Sequence, residues 1–235
     1  DDSSSLVCHQ CLIVRNVVDS GKGGGGIFAS EDTSLTIKQS EISQNKVLSG
    51  DGGGIASVTA KKLSIENSTF QKNSVDSAKE EGSSLFVEAT KDVTISLCNF
   101  SGNGGMINQP SDAKIGGLMY VRDKSKVDIH QSSFTMAKAT IKGGAIAIED
   151  SMLSIADSEF FSLRAELGGG IFMDENAEVN VSRVVFKDIS AARDGGGVYA
   201  KFGFLSVSAS TFLNITVSNA GGGIYVDDQK FSDIV

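Results

Sequence analysis

Apolar and polar residues alternate one by one in short runs along this chain, and glycine clusters separate the runs. The stretch LGGGIFMD (167–174) is typical. Taking the first residue after each cluster as an anchor gives Ile27, Ile55, Leu85, Met119, Ile146, Ile171, Val198 and Ile224, at spacings of 28, 30, 34, 27, 25, 27 and 26 residues. A second phrase falls between anchors: an apolar-x-apolar triplet followed five residues later by Phe or Ile, as in LSIENSTF (63–70) and LSIADSEF (153–160). Anchor and closing residue lie 14 or 15 residues apart throughout, while the distance on to the next anchor varies from 11 to 19. Regular strands joined by one variable turn produce that pattern.

The alternation has period two, the period of a strand, and each run is too short for a stable helix. The repeat is also shorter than a four-stranded propeller blade requires. These features predict an all-β chain, a right-handed parallel β-helix (β-solenoid) of about eight rungs with three short strands each. Residues 1–235 are expected to form a single solenoid segment. The chain opens and ends within a rung, so the segment is expected to be cut from a longer protein.

In-register rungs stack like on like. The anchor is aliphatic in every rung and is therefore assigned inward. The closing position is Phe at 70, 100, 134, 160, 186 and 212, with Ile13 and Ile42 in the first two rungs. A column of Phe needs room in a narrow coil, and glycines provide a tight turn and a wall without side chains. A phosphate-cradling reading of the glycines fails, because such loops occur once, between a strand and a helix.

GGAI stands at 143–146, and FxxN appears as FQKN (70–73) and FSGN (100–103), with Ile for Phe in IVRN (13–16) and ISQN (42–45). Phased over nearly the whole chain, these phrases resemble the repeats of the chlamydial polymorphic outer-membrane proteins. Similar repeats occur in large surface proteins of some unicellular eukaryotes. The resemblance implies a β-helical protein that is secreted or surface-displayed, and it brings adhesion into consideration. The last rungs depart from the pattern, with Ala137, Leu163, Ile189 and Ile215 in place of the Asn. An internal Asn ladder is therefore expected in the first half only.

Hydrophobic residues make up 40% of the chain, enough for a core, and the net charge is −8 with no basic cluster. That balance argues against nucleic acid, which is bound through Lys and Arg contacts to phosphates. No apolar run is long enough to span a bilayer. Among the cysteines, Cys8 is predicted inward, while Cys11 and Cys98 share one rung position three rungs apart, too far to be bridged. CHQC (8–11) lacks the second ligand pair a zinc site needs; a local or inter-rung disulfide and free thiols both remain open. Asn67, Asn99, Asn180 and Asn214 open glycosylation sequons, which matter if the source is eukaryotic and the chain secreted.

The residue after each anchor is aromatic in six rungs: Phe28, Phe86, Tyr120, Phe172, Tyr199 and Tyr225. Alternation turns this position outward, which predicts an exposed aromatic stripe, either a partner-binding surface or a stack that stiffens the sheet. Acidic residues follow it at Glu31, Asp32, Glu88, Asp123, Glu149, Asp150, Asp174, Glu175, Asp227 and Asp228; solvated turns are the expectation, with calcium as the rival. Enzymes of the β-helix class act on polysaccharides with grouped carboxylates, and glycoside hydrolysis needs two that flank the bond. Here Asp128 stands alone in its strand, and His9 and His130 lie far apart. The variable turn 101–117, which holds Pro110, is the candidate recognition loop.

The expectation is therefore a non-enzymatic module, extracellular or at the cell surface, without metal or other cofactor. It would serve as a rigid stalk or filament segment that associates with itself. The alternative is an adhesin that binds a surface protein or glycan through the stripe and the turns, and an enzyme acting on polysaccharide ranks third.

Overall fold

The computed structural model describes residues 4–76, 81–102 and 113–227, together with the backbone of 231–234. All regular structure among them is β, and all strand pairs are parallel. Three long sheets run the length of the molecule. The first has nine strands, from Ser5–His9 to Phe231–Ile234, and carries the apolar-x-apolar triplets. The second runs from Leu12–Val14 to Thr211–Leu213 and carries the closing residues. The third has eight strands, from Ile27–Ser30 to Ile224–Asp227, and carries the anchors. A small fourth sheet joins Val17–Val18, Lys46–Val47 and Ser74–Val75. Eight coils at about 4.8 Å per coil give a rod of roughly 40 Å.

Register follows the sequence phrases. Phe70 pairs with Phe100, Phe100 with Phe134, and Phe160 with Phe186. The rings stack inside the coil with centroids 4.7 to 5.1 Å apart from Phe70 to Phe212. Together with the anchor and triplet columns they form one continuous core. Ring separation matches strand spacing, so each Phe both fills the lumen and touches its copies above and below.

Each coil turns at residues in the left-handed region. At the corner between the first and second sheets these are Gln10, Gln39, Asn67, Leu97, Gln131, Asp157, Arg183 and Ala209, with φ between 46° and 55°. Just past this corner lies a column that the sequence reading missed. The hydroxyls of Ser40, Ser68, Ser132, Ser158 and Ser210 each donate to the carbonyl two residues back, at 2.7 to 2.9 Å. The same oxygens accept backbone N–H groups from the preceding coil, at 3.0 to 3.2 Å, from Cys11, Ser40, Cys98, Ser132 and Val184. A corner leaves backbone donors without a ladder partner, and serine supplies one.

The Asn ladder is present at Asn16, Asn45 and Asn73, while Asn103 lies outside the described residues. The backbone N–H and Nδ2 of Asn16 donate to Asn45 Oδ1 at 3.0 and 2.9 Å, and those of Asn45 donate to Asn73 Oδ1, both at 3.1 Å. Farther along the rod Leu163 and Ile189 are buried and apolar, so the column changes from amides to hydrocarbon.

Glycine is required where chain meets chain. Gly143 has φ +64°, and a side chain there would run into the carbonyl of Ile146. Gly169 lies in a strand wall, where a Cβ would come within 2.6 Å of the Gly196 carbonyl and of Ile189 Cγ2. Around Gly102 (φ +58°) no described residue comes within 4 Å of where a side chain would start. Gly143→Ala should therefore destabilise far more than Gly102→Ala in chemical denaturation, since only the first adds a backbone clash to the left-handed strain. Phe134→Ala, which opens a hole in the ring stack, should cost about 3–5 kcal/mol in the same measurement.

Candidate functional site: the outer face of the third sheet

The predicted aromatic positions do point away from the main core. They form a second apolar cluster of Ala56, Phe86, Tyr120, Ala147, Phe172 and Tyr199, with Val58, Ile115, Leu167 and Tyr225 packed against it. The expectation of an exposed stripe, however, is corrected. Phe86 and Tyr120 are 2% exposed, Phe172 1% and Tyr199 7%; Phe28 alone is open, at 39%. Tyr225 is half-buried. Rings stack between Phe172 and Tyr199 (5.2 Å) and between Tyr199 and Tyr225 (5.1 Å), while Phe86 and Tyr120 lie tilted at 6.0 Å.

Two flanking columns cover the rings. On one side are the residues just before the glycine turn, in register as Glu81, Ile115, Lys142 and Leu167. On the other are the residues three beyond the anchor, including Glu88 paired with Arg122 and Glu149 paired with Asp174. Their long side chains lean over the rings and meet. Arg122 donates to Glu88, lies 3.5 Å from Glu81, and places its guanidinium carbon 5.1 Å from the centre of Phe86 and 5.8 Å from that of Tyr120. Lys142 Nζ sits 3.2 Å from Glu149, 3.6 Å from Asp174 and 4.5 Å from the centre of Phe172. Each cation thus bridges two carboxylates across an aromatic face, which combines ion pairing with cation–π attraction.

The tyrosines join the same network. Tyr120 donates its hydroxyl proton to Glu149, and Tyr199 donates to Asp227 at 3.3 Å. Burial pushes the Tyr120 phenol well above its ordinary range, and the bond to Glu149 adds to the shift. Tyr199 is pushed up to about 12, by burial first and then by the charge of Asp227. Glu81 is pushed up to about 7, by burial first and then by Asp51, whose carboxylate accepts the Glu81 backbone N–H at 2.8 Å. Arg122 opposes that shift.

The acidic residues that read as one solvated row divide into two groups. Glu88, Glu149, Asp174 and Asp227 turn over the rings and are paired. Glu31, Asp32, Asp123, Asp150 and Glu175 occupy left-handed corner positions, and Asp228 lies outside the described residues. Among the described residues no group of three or more His, Cys, Asp or Glu side chains is arranged to hold a metal ion. Asp128 stays on the first sheet, 4.0 Å from Lys126, and His9 Nε2 donates to Gln39 Oε1 at 2.9 Å. Most of the candidate recognition turn 101–117, residues 103–112 with Pro110, lies outside the described residues. Of the sequon asparagines, Asn67, Asn99 and Asn214 are exposed and Asn180 is half-buried.

The family model for the right-handed beta helix region matches residues 2–160. This chain belongs to the right-handed β-helix family. The parallel sheets, stacked coils and unbroken internal columns are the architecture that such a coil requires. Comparison with curated proteins and with solved structures finds no match to this β-helix.

Sequence reasoning missed Glu81, Arg122 and Lys142, which close the site. The signal was a charged residue at matched offsets from the glycine turn, on either side of the ring column. The raised Glu81 carboxyl has a defined linkage. Its folded value stands above the ordinary 4.5, so folding takes up a proton between about pH 4.5 and 7, and stability falls as pH rises through that window. Glu81→Gln should reduce the loss of stability between pH 5 and pH 8, read as the difference in urea midpoint at the two pH values.

Proposed function

We propose that this β-helix is a non-enzymatic rigid rod, a stalk or filament segment displayed outside the cell or at its surface. The observation that carries the reading is the outer face of the third sheet. Its Arg122 and Lys142 are already engaged by Glu81, Glu88, Glu149 and Asp174, and its rings are covered, so the side chains hold one another instead of lining an open groove. Such an arrangement stiffens a coil stack and keeps Glu81, Glu88, Glu149 and Asp174 on cations instead of free to flank a glycosidic bond. The GGAI and FxxN phrasing, similar to that of the chlamydial polymorphic outer-membrane proteins, supports the surface location. Self-association has candidate contacts in Phe161, Val185 and Leu213, exposed on three successive strands of the second sheet, with Lys187 between Phe161 and Leu213.

One observation favours adhesion as the second reading. A cleft of about 590 Å³ is lined by Glu175, Asn176, Glu178, Phe202, Gly203 and Phe204. Two Phe rings beside carboxylates and an amide suit contact with a glycan or a protein loop. This cleft replaces the aromatic stripe as the place for a partner.

Electron microscopy of the natural full-length protein is expected to show fibres or stalks built from stacked coils. Incubation of the purified chain with neutral and acidic polysaccharides should release neither reducing ends nor unsaturated products. Product release would overturn the non-enzymatic reading. Binding to a glycan or receptor panel that is lost in Phe202→Ala would replace the structural role with the adhesive one.

A further inference from the structure

Cys8 and Cys11 meet at the first corner. Cys8 is inward and 9% exposed, and its backbone pairs with that of Ile37. The chain then turns at Gln10, with φ 55°. Cys11 follows in the column that serine fills in most later coils, and it packs half-buried against the core that contains Cys8. Cys98 occupies the same column three coils on and is a built-in comparison. Its sulfur takes over the serine's role, 3.1 Å from the Ser96 carbonyl and 3.7 Å from that of Ile65, and it is 3% exposed. Among the described residues the Cys11 sulfur donates only to the His9 carbonyl, at 3.9 Å, and its thiol adjoins that of Cys8 across the corner. Of the two residues that replace serine with a thiol, one is satisfied by backbone and the other faces a second thiol.

We propose that Cys8 and Cys11 are a site of local disulfide formation, closed by exchange with an external disulfide such as oxidised glutathione. Cys11, the more open of the two, attacks one sulfur of the external disulfide as its thiolate. A Cys11 mixed disulfide forms, and the first external thiolate leaves. Cys8 then gives its proton to solvent, and its thiolate attacks the Cys11 sulfur and expels the second external thiolate. Two protein thiols are oxidised to one disulfide, and one external disulfide is reduced to two thiols. The order follows from access. Burial, and then the adjoining Cys11 thiol, push the Cys8 thiol up, so Cys8 is the poorer first attacker. The ring that closes spans a single corner, and such a short loop adds little stability through chain entropy. The staple instead fixes the corner and removes two oxidisable thiols.

The test is intact-mass spectrometry of the folded chain after exposure to oxidised glutathione, followed by alkylation in denaturant. Reacted protein is expected to have lost two hydrogens and to take up one alkyl group, at Cys98, where the reduced chain takes up three. Peptide mapping should place the bridge between Cys8 and Cys11. Cys98→Ser should leave the loss of two hydrogens unchanged. Cys11→Ser restores the residue the column normally holds, so the coil should still fold, and it should abolish the loss. Three alkyl groups after oxidation, a stable glutathione adduct on Cys11 without ring closure, or dimers linked through Cys11 would each overturn the proposal.

Discussion

Every column in this molecule depends on one constraint: consecutive coils pair in parallel and in register, residue on equivalent residue. Phe100 meets Phe134 because their strands share a ladder, and Asn45 reaches Asn73 for the same reason. In-register pairing turns a repeat along the chain into a continuous stack along the rod. A residue is therefore judged chiefly by its copies above and below. Stacked Phe rings and stacked amides gain from repetition, whereas stacked like charges repel. The covered outer face stacks one such pair, Glu149 on Asp174, and offsets it with a cation. Arg122 pairs in register with Glu88, and Lys142 lies across the rings from Glu149 and Asp174.

The corners carry the second condition. A coil closes only if the chain turns in the left-handed region at matched positions, and non-glycine residues do most of this turning, from Gln10 to Ala209. Each such residue adopts an unfavourable conformation. The serine column beside the first corner compensates by binding the backbone on both sides of the turn. Glycine is required where backbones touch, as at Gly143 and Gly169.

Anchors, closing Phe residues and the Asn ladder could be read from the chain because their signal is a repeated residue at a repeated offset. Corner residues carry no such signal: Leu97, Arg183 and Ala209 share a conformation and nothing else. The serines beside them do recur at a fixed offset, but in a Ser-rich chain the recurrence is easily lost. Alternation correctly sent Phe86, Tyr120, Phe172 and Tyr199 away from the main core. It could not tell that they are covered, because period two assigns a side of the sheet and says nothing of what lies over it. The cover comes from Glu81, Arg122 and Lys142, whose reach across the rings depends on long side chains from other coils.

The change from Asn73 to Leu163 and Ile189 in a single interior column gives the rod two kinds of filling. Amide stacks hold through directional bonds, whereas hydrocarbon stacks hold through exclusion of water, a force that weakens on cooling. The two halves therefore respond differently to temperature, although their backbones are alike. Cooling loosens the aliphatic end relative to the amide end. Because each coil contacts only its neighbours, that difference is not averaged over the whole rod and stays graded along its axis.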